Sequence, residues 1–173
     1  MENDDSGIIL RAPQCWGARS AVSAEITIRK ADAGHAGPVR ACARAAYEKF
    51  VAPIGREPAP MVADFVRQIA DGIIDVAVDP KGRVVGFMVL YPRRDHLHIE
   101  NLAVSPAAQG QGVGTQLLRH GEAIAREHGL STVELYTNAK MSEALSFYPA
   151  RGFVEIDRRR EAGFDRVYFR KEL

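Results

Sequence analysis

Between residues 96 and 128 the chain reads HLHIENLAVSPAAQGQGVGTQLLRHGEAIAREH, and this stretch constrains the fold more tightly than any other. A strand-like run gives way to a turn in which Gly110, Gly112 and Gly114 alternate with Gln111 and Val113. After the turn, Val113, Leu117, Gly121, Ile124 and His128 recur at helical spacing, and Gly129 supplies a stop. The pattern predicts a strand, a tight turn and a helix whose first turn grows out of the glycines. Such a helix start turns unpaired N–H groups outward, and the helix dipole adds partial positive charge to them. With no Cβ atoms in the way, an anionic ligand can come close to these amides, so the loop is a candidate phosphate site.

The rest of the chain reads as an alternation of strands and helices. Residues 25–29 (EITIR) alternate as a first strand. Asp32 is a candidate N-cap, and a helix starting near Gly37 carries Val39, Cys42, Ala46 and Phe50 on one side. The stretch 51–61 (VAPIGREPAPM) holds Pro53, Pro58, Pro60 and Gly55 and reads as a loop. A second helix is expected over 60–71, with Val62, Phe65, Val66 and Ile69 on one face. Strands follow at 73–78 and 83–91, joined through Asp79 to Gly82 as a hairpin, and at 96–104. Beyond the glycine-started helix come a strand at 132–137, a short helix at 141–148 ended by Pro149 and Gly152, and a closing hairpin (153–159 and 166–171) across EAGFD. Gly121 costs its helix roughly 1 kcal/mol against alanine, which implies close packing on a sheet. The strand after the glycine helix is parallel to the one before it if the crossover is right-handed.

Composition narrows the class of function. The 173 residues suit one domain at 25–173, with 1–24 as a poorly ordered tail in which Trp16 is a surface residue. A formal charge of +1 gives no general electrostatic case for nucleic acid or an anionic membrane. The two cysteines, Cys15 and Cys42, form no CxxC and fit a reducing compartment better than a disulfide framework. The start, MENDDSGIIL, is acidic where a secretory signal is basic, and no apolar run approaches a bilayer span, so a cytoplasmic protein is expected.

Two familiar phosphate loops fail on spacing. A dinucleotide fingerprint begun at Gly110 would need its third glycine where Thr115 stands, and it belongs after the first strand of a βαβ unit. A Walker loop needs a Gly-Lys pair, which this region lacks. A third pattern fits. Gln109-Gly110-Gln111-Gly112-Val113-Gly114 after AVSP resembles the Q/R-x-x-G-x-G/A loop of the GNAT family of N-acetyltransferases. Ala144, Phe147, Tyr148, Gly152 and Phe153 resemble that family's A-x-x-[LF]-Y-x-x-x-GF signature. The resemblance covers about 25–173, with both motifs at the expected separation.

The resemblance implies an α/β GNAT fold: a mixed, mostly antiparallel sheet of six or seven strands, splayed between strands four and five, with helices on both faces. It implies acetyl-CoA as cosubstrate. The pantetheine arm would lie along the backbone of Leu102, Ala103 and Val104, and the diphosphate on Gln109, Gly110, Gln111, Gly112, Val113, Gly114 and Thr115. Tyr148 resembles the family's general acid beside the sulfur, the alternative being a packed core tyrosine. Glu100 resembles a base on strand four with His98 as second choice, the alternative being a solvated carboxylate. Asn138 either contacts the cosubstrate or caps the next helix.

Tyr47, Phe50 and Arg56, with His98, are candidate substrate contacts; Glu57, Arg93 and Arg94 are further candidates for the same role. His96, His98 and Glu100 alternate as metal ligands sometimes do, but no fourth ligand is identifiable, so no metal is expected. Two readings follow from the resemblance: transfer of acetyl to a small-molecule or peptide amine, or a non-catalytic acyl-CoA sensor or interaction module. A nucleotide-binding protein of another class is a third. Relatives are often dimers, which makes a homodimer an expectation too.

Overall fold

The computed structural model describes residues 25–173; the expected tail, with Cys15 and Trp16, lies outside the described residues. The elements are β1 (Thr27–Lys30), α1 (Ala36–Ile54), α2 (Phe65–Ala70), β2 (Ile74–Val78), β3 (Val84–Pro92), β4 (Leu97–Val104), α3 (Val113–Glu127), β5 (Thr132–Asn138), α4 (Ser142–Phe147), β6 (Val154–Glu161) and β7 (Phe164–Glu172). One seven-stranded sheet has the order β1-β2-β3-β4-β5-β7-β6. Only β4 and β5 pair in parallel, because α3 crosses over between them. This is the mixed α/β sheet, splayed between its fourth and fifth strands, that the family resemblance implies.

Each face of the sheet buries its own core. On one side Val39, Cys42, Ala43 and Ala46 of α1, with Phe65 and Ile69 of α2, cover Val76, Phe87 and Val89. On the other, Val113, Leu117, Leu118 and Ala125 of α3 cover Met88, Leu90, Leu97, Leu135 and Phe169. Full burial of side chains of this size contributes about 1.5–3 kcal/mol apiece. Gly121 allows the close approach its position predicts: an added Cβ would stand 3.0 Å from Met88 Cε. His128, placed on the apolar side by spacing, is instead exposed at the helix end, where its ring N–H donates to the Ile124 carbonyl at 2.8 Å.

Four boundaries differ from the sequence reading. Asp32 caps a 3-10 turn at Ala33–His35 that leads into α1, its Oδ1 accepting from Gly34 N at 3.0 Å. α1 runs through Pro53 to Ile54, so 51–54 is helix rather than loop; the stop is Gly55, in left-handed geometry at φ 84°, whose N–H donates to Val51 O. α2 is shorter than expected because Asp64 is its N-cap, accepting from Arg67 N at 3.1 Å, while Ala59–Met61 forms a 3-10 turn. Phe65 and Ile69 are buried as expected, but Val62 and Val66 face solvent. The closing hairpin turns in two residues rather than five. Ala162 at φ 50° and Gly163 at φ 77° both take left-handed geometry, which matches the twist of the flanking strands.

The irregularity that matters for function is in β4. Val89 pairs with Asn101 and Leu90 with Ile99, leaving Glu100 as an extra residue, a β-bulge. Before the bulge Leu97 and Ile99 face α3; after it Leu102 and Val104 do, and Ala103 turns to α1. One unpaired residue inverts the alternation.

Candidate active site

The parallel ladder holds only from Leu97↔Val133 to Ile99↔Leu135. Past the bulge, β4 bends away from β5, and a cleft of ≈ 510 Å³ opens between them. Its walls are 99–104 of β4, 136–138 of β5, the glycine loop, the C-terminal half of α1, α4 with Tyr148, and Phe164 and Arg166 of β7.

At one end stands the glycine loop. Gly110 (φ 76°) and Gly112 (φ 81°) adopt left-handed backbone with open space where a side chain would project. Gly112 is the N-cap of α3 and offers no side-chain cap. The first α-helical bond from this end is Gln116 N to Gly112 O at 3.0 Å, leaving the N–H groups of Val113, Gly114 and Thr115 without helical acceptors. Gln109 and Gln111 donate their side-chain amides to the loop's own carbonyls, Val104 O at 3.0 Å and Ala107 O at 2.9 Å, and so brace the loop. Gly114 has a different task, since an added Cβ would meet Phe147 Cζ at 3.0 Å.

Along β4, the Leu102 carbonyl accepts from Tyr47 OH at 3.3 Å and the Val104 carbonyl from Gln109, so these two residues turn their backbone groups to the cleft. Ala103 turns its carbonyl the other way, towards Gly86 of β3. Of the three residues expected to offer backbone, two face the opening.

Tyr148 sits at the junction of α4 and a 3-10 turn, Pro149–Arg151, in which Pro149 takes the first position that suits its missing N–H. Its ring packs among Phe147, Phe153 and Phe169 at centroid distances of 5.3 to 5.7 Å and is only 7% exposed. Burial pushes its phenol up to about 12, so it stays protonated and available as a donor.

Glu100 lines the cleft, with Oε2 3.0 Å from His98 Nε2 and Oε1 accepting from Tyr136 OH at 2.5 Å. The His98 hydrogen bond, helped by that of Tyr136 and opposed by burial, holds the carboxyl below its ordinary range. Burial and the Glu100 carboxylate together push the Tyr136 phenol upward, and burial raises that of Tyr47.

The remaining sequence candidates are dispersed. Asn138 lines the cleft while its Oδ1 accepts from Lys140 N at 2.9 Å, so it shapes the turn after β5 rather than capping α4, whose N-cap is Met141. Phe50 lines the cleft wall; Arg56 does not. The Arg56 guanidinium donates to Ala162 O at 2.5 Å and stacks 3.5 Å from the Phe164 ring centroid, clasping the β6–β7 turn from the α1–α2 connection. Glu57 pairs with Arg44 at 3.5 Å. Arg93 and Arg94 are exposed on the β3–β4 turn, at the far end of β4 from the cleft. His96 is taken by Asp95 and Glu134, and among the described residues no group of three metal-ligating side chains gathers.

Three cleft residues that matter to the site, Arg151, Arg166 and Tyr136, were missed by the sequence reading. Arg151 donates to Thr115 Oγ1 at 2.9 Å and Phe147 O at 2.8 Å, bringing a cation to the glycine-loop end. Its place directly before Gly152, inside the second motif, was the available signal. Arg166, on β7, stacks 4.0 Å above the Tyr136 ring; nothing local marks it.

A sheet opened by a bulge beside a glycine-started helix is the architecture of an acyltransferase fold, and comparison with known proteins agrees. The model of the Acetyltransferase (GNAT) family matches residues 40–153, and the chain belongs to that family. It is 39% identical over 79 residues to the aminoalkylphosphonate N-acetyltransferase of Salmonella typhimurium, covering 42% of this chain and 51% of the relative. To the mycothiol acetyltransferase of an Arthrobacter species it is 34% identical over 90 residues, covering 47% of this chain and 27% of the relative. The chain thus matches about a quarter to a half of these relatives' lengths. In fold it is similar to the PaiA N-acetyltransferase of Thermoplasma acidophilum, solved with coenzyme A: TM-score 0.72 at 20% identity, over 86% of this chain and 99% of that one. Among the described residues no helix is long and apolar enough to cross a membrane.

Proposed function

We propose that the chain is an acetyl-CoA-dependent N-acetyltransferase that moves acetyl to a primary amine by direct attack in a ternary complex. The observation that carries this reading is the meeting, in one cleft, of unpaired helix-start amides, outward-turned strand backbone, a buried phenol and a carboxylate. The fold likeness to a protein solved with coenzyme A and the names of the two curated relatives support it.

The amides of Val113, Gly114 and Thr115, with Arg151 beside them, would hold the diphosphate; Leu102 and Val104 would hydrogen-bond the pantetheine arm. Bound there, the thioester supplies an already activated acyl carbonyl. Glu100 draws the acceptor ammonium to the cleft and passes one proton from it to solvent. A second proton passes from the nitrogen to solvent, from which Tyr148 later recovers one, as the C–N bond forms and the C–S bond breaks. Tyr148 stabilises the departing sulfur with its hydrogen and protonates it, and is then reprotonated, so the products are the amide, the free thiol and one released proton. A depressed carboxyl is a weak base, which assigns Glu100 more to holding the ammonium than to driving its deprotonation.

The same observation gives the alternative, a non-catalytic acyl-CoA sensor, some standing, because both Glu100 oxygens are already engaged. Thiol release with acetyl-CoA and a panel of amines separates the two. Release above the no-amine background supports the transferase; calorimetric binding of acetyl-CoA with no release supports the sensor. If coenzyme A gives no heat at millimolar concentration, both readings fall.

A further inference from the structure

The acceptor end of the cleft carries two opposite charges held by one aromatic side chain, one at its hydroxyl and one over its ring face. Tyr136 donates its hydroxyl to Glu100 at 2.5 Å, and its ring face supports the Arg166 guanidinium at 4.0 Å. Both charged groups line the cleft, and the Arg166 side chain is only 17% exposed. Arg166 is anchored through one amino group, Nη1, which donates at 2.5 Å to Glu161 on the hairpin. Glu161 is half exposed and also accepts from Tyr168 OH at 2.6 Å, so it holds the guanidinium from outside the cleft. A guanidinium has five N–H donors in a fixed fork, and a single anchor leaves others for a carboxylate or phosphonate.

The other charged side chains of the cleft do not compete for this role. Lys49 and Glu143 neutralise each other at 2.5 Å, and Arg151 is committed to the glycine-loop end. Phe50, Ile54, Pro58 and Phe164 give the same cleft an apolar lining. A polyamine would bring a second cation towards Arg166 and be repelled; an amine without an acid group would leave the guanidinium's remaining donors unused.

The geometry points to a small zwitterion as the acceptor: a free amine with an acid group on the same or the next carbon and an apolar body, its ammonium at Glu100 and its carboxylate or phosphonate on Arg166. This rests on the transferase reading and names the substrate class for it. A peptide N-terminus lacks the acid at that spacing and is disfavoured by the same argument.

The test measures thiol release with acetyl-CoA for apolar amino acids, their carboxamides, the corresponding 1-aminoalkylphosphonates, a dipeptide and spermidine. The expected result is a kcat/KM at least about tenfold higher for acid-bearing amines than for their carboxamides, expressed chiefly in KM. Arg166→Gln removes that gap, whereas Arg166→Lys, which keeps the charge but not the fork, keeps part of it. Thermal melts of both variants show whether the hairpin stays folded, and the ratio between acid and carboxamide is read within each variant, so lower overall activity does not obscure it. Carboxamides, dipeptide or spermidine turned over as well as the acids would overturn the proposal, as would a gap that survives in Arg166→Gln. Absence of release with every acid-bearing amine also overturns it. Coenzyme A titrated into the same wild-type sample then tells the two claims apart: heat without turnover of the acids removes the acceptor class alone, and no heat removes the transferase reading with it.

Discussion

At the glycine-loop end of the cleft the chain presents backbone; at the other end it presents side chains gathered from α1, β4, β5 and β7. The first is built by consecutive residues and depends on glycine geometry at Gly110 and Gly112. The second depends on Glu100, Tyr136 and Arg166, far apart in sequence and joined by hydrogen bonding and stacking. A ligand held by amides is recognised by charge and shape common to many proteins, while one held by scattered side chains is particular to one. The cosubstrate end should therefore be fragile to backbone changes and the acceptor end to changes of charge.

The largest effect is expected from Gly112→Val. At φ 81° a β-branched residue is strained by about 1–3 kcal/mol, which distorts the loop that starts α3, and its side chain would project into space the glycine leaves open. Coenzyme A affinity should fall by about a hundredfold or more, measured by calorimetry on protein with unchanged circular dichroism. A folded variant that binds normally would detach the loop from the site.

Next comes Tyr148→Phe, which keeps the aromatic packing and removes the donor. It should lower kcat by about a hundredfold with the KM for acetyl-CoA nearly unchanged. Normal turnover in that variant would reduce Tyr148 to a packing residue.

Glu100→Gln should cost about tenfold in kcat/KM at neutral pH, less than the roughly hundredfold or more of a full acid–base group, because its depressed carboxyl mainly holds the ammonium. Its carboxyl is held below the ordinary glutamate value, so it stays ionised through the neutral range. The stabilisation it gives the fold is complete above the ordinary value and disappears as pH falls through the depressed one. The wild-type advantage over Glu100→Gln should accordingly be greatest where the amine is ammonium and shrink as pH approaches the amine's own pKa. Identical pH–rate profiles for the two proteins would take Glu100 out of the reaction.

The smallest effect belongs to Arg56→Ala, which loses a stacked cation worth about 0.5–1 kcal/mol at an exposed site together with its hydrogen bond to Ala162 O. A two- to fivefold rise in the amine's KM, with acetyl-CoA kinetics untouched, would place the clasp at the acceptor end. Equal effects on both substrates would show that it serves the fold as a whole.

This contrast also explains what could be read in advance. The order of strands and helices and the glycine loop follow from local patterns, since each is written in neighbouring residues, whereas the splay was implied only by the family resemblance and rests on the unforeseen bulge at Glu100. Gly114 was legible as a glycine but not in its purpose, because the ring it must avoid, Phe147, lies in the second motif and touches it only after folding. Arg56 reads as a substrate contact from sequence because it stands in a proline-rich loop; its partners, Ala162 and Phe164, are more than a hundred residues away. Arg166 was passed over inside a strand whose alternation reads as ordinary. Pro53 misplaced the end of α1, since a breaker in the last turn is overruled by the left-handed cap at Gly55.

The unpaired Glu100 has a consequence for how such a protein can change. Because β4 carries one residue more than β3 across the bulge, the width of the opening depends on residue count rather than on side-chain size. Excising that one position would give β3 and β4 an unbroken ladder with Leu102 and Val104 still beneath α3, and would remove the bend that parts β4 from β5. Substitutions can retune what enters the gap, but only an insertion or deletion can abolish it.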